Sequence, residues 1–158
     1  MTSVLLALLA ALSTQASGWA AVGPGVSCRD TGRTRVYGTF LAYGGWGVKE
    51  AWAQAWVDEV YRTALTRRGV RYLCAVQGPA EVDYAGREIG NAALAARFLA
   101  QPRGLVIVAA HSSGSFVAHE LFAELEAMGP RGVAMLGRMV YYDLDGGESG
   151  LTADIVGH

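Results

Sequence analysis

Ser112 is the residue of this chain best placed to do chemistry, by its type and by its neighbours. It stands in Ala110-His111-Ser112-Ser113-Gly114, with a small residue two positions away on each side. A serine hydroxyl becomes a nucleophile when a base takes its proton and fixed donors hold the oxyanion formed on the attacked carbonyl. A sharp turn that lifts the hydroxyl clear of the chain strains the backbone, and small flanking residues leave room for it. The candidate partners are few. There are three histidines, His111, His119 and His158, and two acids, Asp143 and Asp145, in Asp143-Leu144-Asp145-Gly146-Gly147. His111 adjoins Ser112, so its side chain is expected to point away from the serine's. His119 would be carried roughly 10 Å along a helix. His158 follows in a workable order but is the last residue. The Asp143–Gly147 string reads equally as a turn, with Asp and Gly chosen for backbone reasons, and it lacks the remaining ligands of a calcium loop. For Ser112, Ser113 and Ser115 the plain alternative is helix N-capping, which serine favours.

The elements that must position these residues are legible from periodicity. Residues 36–42 are rich in aromatic and β-favouring types and predict a strand. It runs into Tyr43-Gly44-Gly45-Trp46-Gly47, where glycines open backbone angles closed to other residues. Trp52, Trp56, Val60 and Ala64 recur four apart and predict an amphipathic helix ending at Arg67, Arg68 and Gly69. Residues 70–76 predict a strand closed by Gln77-Gly78-Pro79, and Ile89, Ala92, Ala95, Ala96 and Leu99 mark a helical stripe. The unbroken apolar run 105–110 suits a strand covered on both faces. A helix is predicted over 116–128, ended by Gly129-Pro130, and a strand over 139–142. Such alternation builds an α/β fold, a mostly parallel sheet with flanking helices. Ser112 then sits where a strand hands over to a helix, whose N-terminus favours developing negative charge.

In that setting Ala110-His111-Ser112-Ser113-Gly114 resembles the Gly-His-Ser-x-Gly nucleophile elbow of α/β-hydrolases such as esterases and lipases, with alanine in place of the first glycine. The Tyr43–Gly47 turn resembles the glycine loop that supplies part of that family's oxyanion hole. The resemblance spans residues 36–147. It implies a serine hydrolase acting on carboxylic esters without cofactor or metal. The Ser113 N–H would be one oxyanion donor, and that of Gly45 or Trp46 the other. It also implies the chain order nucleophile, acid, histidine. Asp143 is then the candidate acid, one strand earlier than the family's usual place. Two further strands normally precede the family's histidine, so residues 28–158 are expected to form a partial domain, an incomplete α/β-hydrolase fold with little or no turnover of its own. The alternative is a non-catalytic binding or structural domain that kept the fold without the base. Tyr43, Trp46 and Tyr84 are candidates for lining an apolar pocket, although aromatics at such places are more often core.

Composition narrows the partners. Of 158 residues, 52% are hydrophobic and 17% charged, which supports a packed core and excludes a disordered tail. A formal charge of −1 without a basic stripe argues against nucleic acid; a small-molecule ester is the expected partner. Residues 1–20 carry the apolar run Val4 to Leu12 followed by small residues, which reads as a signal peptide cut between Ala16 and Ala21. The run is too short for a stable membrane span, which takes about 20 residues. A buried N-terminal helix is the alternative. A signal implies a secreted or periplasmic protein, in which Cys28 and Cys74 either bridge or leave Cys74 as a buried thiol. Two cysteines so far apart in sequence do not make a zinc site.

Overall fold

The computed structural model describes residues 18–33, 38–66, 69–79, 88–100 and 104–144. Six strands, β1 (Ala20–Gly23), β2 (Val26–Asp30), β3 (Gly38–Tyr43), β4 (Val70–Val76), β5 (Val106–His111) and β6 (Met139–Leu144), join in one sheet of order β1-β2-β4-β3-β5-β6. β3 runs parallel to β4 and β5, and β6 parallel to β5. β2 is antiparallel to β4, and β1 folds back on β2 as a hairpin. The helices are α1 (Glu50–Val60, extended by a π-helical stretch Tyr61–Leu65), α2 (Glu88–Ala100), α3 (Gly114–Ala127) and α4 (Pro130–Leu136). The expected α/β architecture, a mostly parallel sheet with flanking helices, is borne out.

Strand side chains alternate between two cores, as a pleated strand requires. Leu41, Tyr43, Val106, Val108 and Ala110 face one way, against Leu94 and Phe98 of α2, Val117, Leu121 and Leu125 of α3, and Met135 of α4. Phe40, Ala42, Leu73, Ala75 and Ala109 face the other way, against Ala53 and Val57 of α1. Cys28 and Cys74 lie opposite each other on β2 and β4 and are bonded as a disulfide, so the bridge is formed and the buried-thiol alternative is set aside.

Several expectations need correction. Among the described residues the sheet begins at Ala20, ahead of the first expected strand at 36–42, because the short hairpin β1–β2 was not legible. In α1 the buried face is Ala53 and Val57, while Trp52 is 68% exposed and Ala64 also faces solvent. Trp56 and Val60 of the expected stripe are half-buried and pack against the same cluster. In α2 the buried face is Asn91, Leu94, Ala95 and Phe98, offset from the expected stripe, and Ala96 is exposed. Gly129-Pro130 does end α3, but Pro130 also opens α4 at its first turn, where a missing N–H costs nothing. Arg67, Arg68 and Tyr84 lie outside the described residues.

The strand order sets a switch point between β3 and β5, the place of the crevice in open α/β sheets. From β3 the chain crosses through α1 to β4 on one side, whereas β5 lies on the other side of β3. α1 covers one face of the sheet and α3, which follows β5, covers the opposite face. Ligands of open α/β sheets bind outside the carboxyl ends of the strands at such a reversal. Here Tyr43 and Ala110 are register partners at the ends of β3 and β5, so the glycine turn and the Ser112 turn form the two banks.

Candidate active site

Ser112 has φ 52° and is the one non-glycine residue with positive φ among the described residues. Holding a serine there costs on the order of 1–3 kcal/mol, so the surroundings must over-determine it. They do so from three sides. The Ser112 amide donates to the carbonyl of Leu144 at the end of β6 (3.2 Å), and the Ser115 amide donates to the Ser112 carbonyl (3.0 Å). The Ser115 hydroxyl, fully buried, donates to that same carbonyl. Ser113 takes the N-cap position of α3 without a side-chain capping bond.

Small residues let the two banks touch. A Cβ at Gly114 would lie 2.6 Å from the Gly44 carbonyl oxygen and 2.9 Å from that of Tyr43. A Cβ at Gly45 would lie 3.3 Å from Ser112 Cβ and 2.8 Å from His111 Nδ1. Ala110 is fully buried. The glycine turn is fastened from behind. Gly44 donates to Val76 (2.9 Å), Val48 to Gly45 (3.1 Å), Gly47 to Pro79 (2.7 Å) and Gly78 to Val48 (2.9 Å). The amides of Gly45, Trp46 and Ser113 enter no such backbone bond among the described residues. They comprise the Ser113 amide, expected as one oxyanion donor, and the two alternatives for the other. Trp46 carries its indole into solvent, 65% exposed, whereas Tyr43 is core.

Asp143 pairs in register with Ala110 on β5, so its side chain lies on the α3 face of the sheet. There Oδ1 stands 3.4 Å from the Ser115 hydroxyl. Asp143 therefore meets the residue that braces the elbow. His119 lies on the same face, tilted against Phe122 (ring centroids 5.8 Å apart) and edge-on to Tyr141 (5.6 Å). Burial pushes the His119 pKa below its ordinary 6.5, and the Asp143 charge only partly offsets this. The neutral imidazole is thus the form the fold prefers. Its contribution to stability is complete above pH 6.5 and is lost as pH falls through the lower folded value. The wild-type protein should lose stability on acidification from pH 7 to 5 more steeply than His119→Gln, as followed by urea midpoints.

The His111 imidazole is exposed, and its Nδ1 comes up against Gly45, which Ser112 Cβ also borders. Asp145 and His158 lie outside the described residues. Among the described residues no cluster of histidine, cysteine and carboxylate could hold a metal ion.

Sequence reasoning weighed Ser115 only as a helix cap and missed Asn91. Ser115 stands three residues past the elbow, a spacing that signals local backbone bonding. Asn91 is fully buried, accepts from the Tyr43 hydroxyl (2.8 Å) and donates to the Val117 carbonyl (2.7 Å). It ties β3, α2 and α3 together beneath the crevice. Burial, with Glu120 and Tyr141 nearby, pushes the Tyr43 phenol well above its ordinary pKa, so it remains a donor. Asn91→Ala strands both partners in the core and is expected to cost about 2 kcal/mol by urea denaturation.

The chain matches no family model, no curated protein and no solved structure.

Proposed function

We propose that this chain carries the nucleophile of a serine hydrolase acting on carboxylic esters, with Ser112 as the attacking group. The observation that carries the reading is the positive φ of Ser112 at a strand-to-helix turn on the carboxyl rim of the sheet. Such strain persists where function uses it, and it is the posture of a nucleophile elbow. Ser113 supplies one oxyanion amide; Gly45 or Trp46 supplies the second. Asp143 is retained as the candidate acid in the sense that it lies below the elbow, although its described neighbour is Ser115. The reading leaves the base unassigned among the described residues. Export to an oxidising compartment is part of the proposal and is supported by the Cys28–Cys74 bridge. No helix among the described residues is long and apolar enough to cross a membrane.

A second reading, a non-catalytic domain of the same fold, is favoured by one observation. His119, the histidine downstream of Ser112 among the described residues, is packed against Phe122 and Tyr141. A fluorophosphonate probe separates the two. With excess imidazole added as an external base, the protein should be labelled on the peptide containing Ser112, and Ser112→Ala should take up none. Absence of Ser112-dependent labelling ends the hydrolase reading.

A further inference from the structure

The geometry points to His111 as a third oxyanion donor, a side-chain N–H that supplements the backbone amides; this rests on Ser112 being the nucleophile. His111 is the last residue of β5 and stands on the elbow bank of the β3/β5 crevice. Three features place its ring at the reacting end. A Cβ at Gly45 would stand 2.8 Å from His111 Nδ1 and 3.3 Å from Ser112 Cβ. The imidazole and the serine therefore both pack closely against Gly45. The amides of Gly45 and its neighbour Trp46 are not used in backbone bonds among the described residues. The ring is exposed and belongs to neither core.

The chemistry follows. As Ser112 Oγ bonds to the ester carbonyl carbon, the carbonyl π pair moves onto oxygen, and the Oγ proton leaves to an imidazole-class base in solution. The new oxyanion needs donors fixed in advance, and a histidine N–H is among the groups that serve this way. When the tetrahedral species collapses, the alkoxide leaves with that proton and the donors release a neutral carbonyl. His111 gains and loses no proton in this cycle. It is a donor throughout, which distinguishes it from a base.

The distinction sets the test. Asparagine places an amide N–H at the same number of bonds from Cβ as histidine Nδ1, yet cannot accept a proton. Fluorophosphonate labelling rates, with added imidazole, are compared for the wild type, His111→Ala, His111→Asn and Ser112→Ala, with urea midpoints as the check on folding. The expected result is labelling slowed about tenfold or more in His111→Ala, a rate within about threefold of wild type in His111→Asn, and unchanged midpoints. His111→Ala labelled at the wild-type rate overturns the inference while leaving Ser112 intact. His111→Asn as slow as His111→Ala also overturns it, because the ring would then be acting as something other than a donor. A wild type that takes up no label at Ser112 defeats the nucleophile reading itself, a different outcome from either.

Discussion

Gly78→Ala is expected to cost the fold about 3 kcal/mol and to remove the reactivity of Ser112. The new methyl group would overlap the Gly45 carbonyl oxygen, and it would stand 2.7 Å from the Gly45 carbonyl carbon and 2.9 Å from the Gly44 oxygen. All three obstacles are backbone, so no side chain can swing away to relieve them. The glycine turn must move, and it is the bank that faces the elbow. Its displacement breaks the Gly78-to-Val48 bond (2.9 Å) and takes the Gly45 and Trp46 amides from the crevice. Gly78 does not have a positive φ, so the effect is one of space and not of conformation. Gly47→Ala is the matched control. Gly47 has φ 73° and nothing within 4 Å of its missing Cβ, so it should pay only left-handed strain of about 1–2 kcal/mol. A Gly78→Ala protein with a wild-type urea midpoint would contradict the close packing of the two banks.

Removing the Cys28–Cys74 bridge should be costlier still. The two cysteines are register partners across β2 and β4, both almost wholly buried, and they are 46 residues apart in sequence. Closing a loop of that length restrains the unfolded chain by about 4 kcal/mol on the chain-entropy estimate. Typical domains are stable by about 5–15 kcal/mol, so the bridge is a large share. It also fastens the antiparallel strands β1 and β2 to the parallel part of the sheet. The variant Cys28→Ala/Cys74→Ala is expected to show a urea-unfolding free energy lower by about that amount. A loss below about 1 kcal/mol would mean that the bridge adds little.

What was legible in the sequence was the part governed by local pattern. Residues 70–76 predicted β4 with the bounds observed, because a dense β-favouring run is closed on both sides by glycine. The run 105–110 differs from β5 by one residue at each end, and its continuous apolarity did mean two covered faces. What was not legible depends on partners distant in the chain. Ala20–Gly23 is a four-residue strand whose one strand neighbour among the described residues is β2, with Val22 packed against the core. Trp52 looks like core by type, but the approach of α1 to the sheet is set by Ala53 and Val57. Asn91 hides in an apolar stripe because its partners, Tyr43 and the Val117 carbonyl, lie 48 and 26 residues away. At the site, the small residues around Ser112 announced the turn. The bracing by Ser115 and Leu144, and the lodging of His111 beside Gly45, followed only once β3, β5 and β6 were side by side.

The most direct measurement is a crystal structure of the protein after reaction with a small fluorophosphonate. A phosphorus bonded to Ser112 Oγ is expected, with Ser112 still at positive φ. Its free oxygen should lie 2.7–3.1 Å from the Ser113 amide and from that of Gly45 or Trp46, the spacing an oxyanion requires. An unmodified Ser112, or an adduct whose oxygen turns away from those amides toward solvent, would contradict the assignment of this turn as a nucleophile elbow.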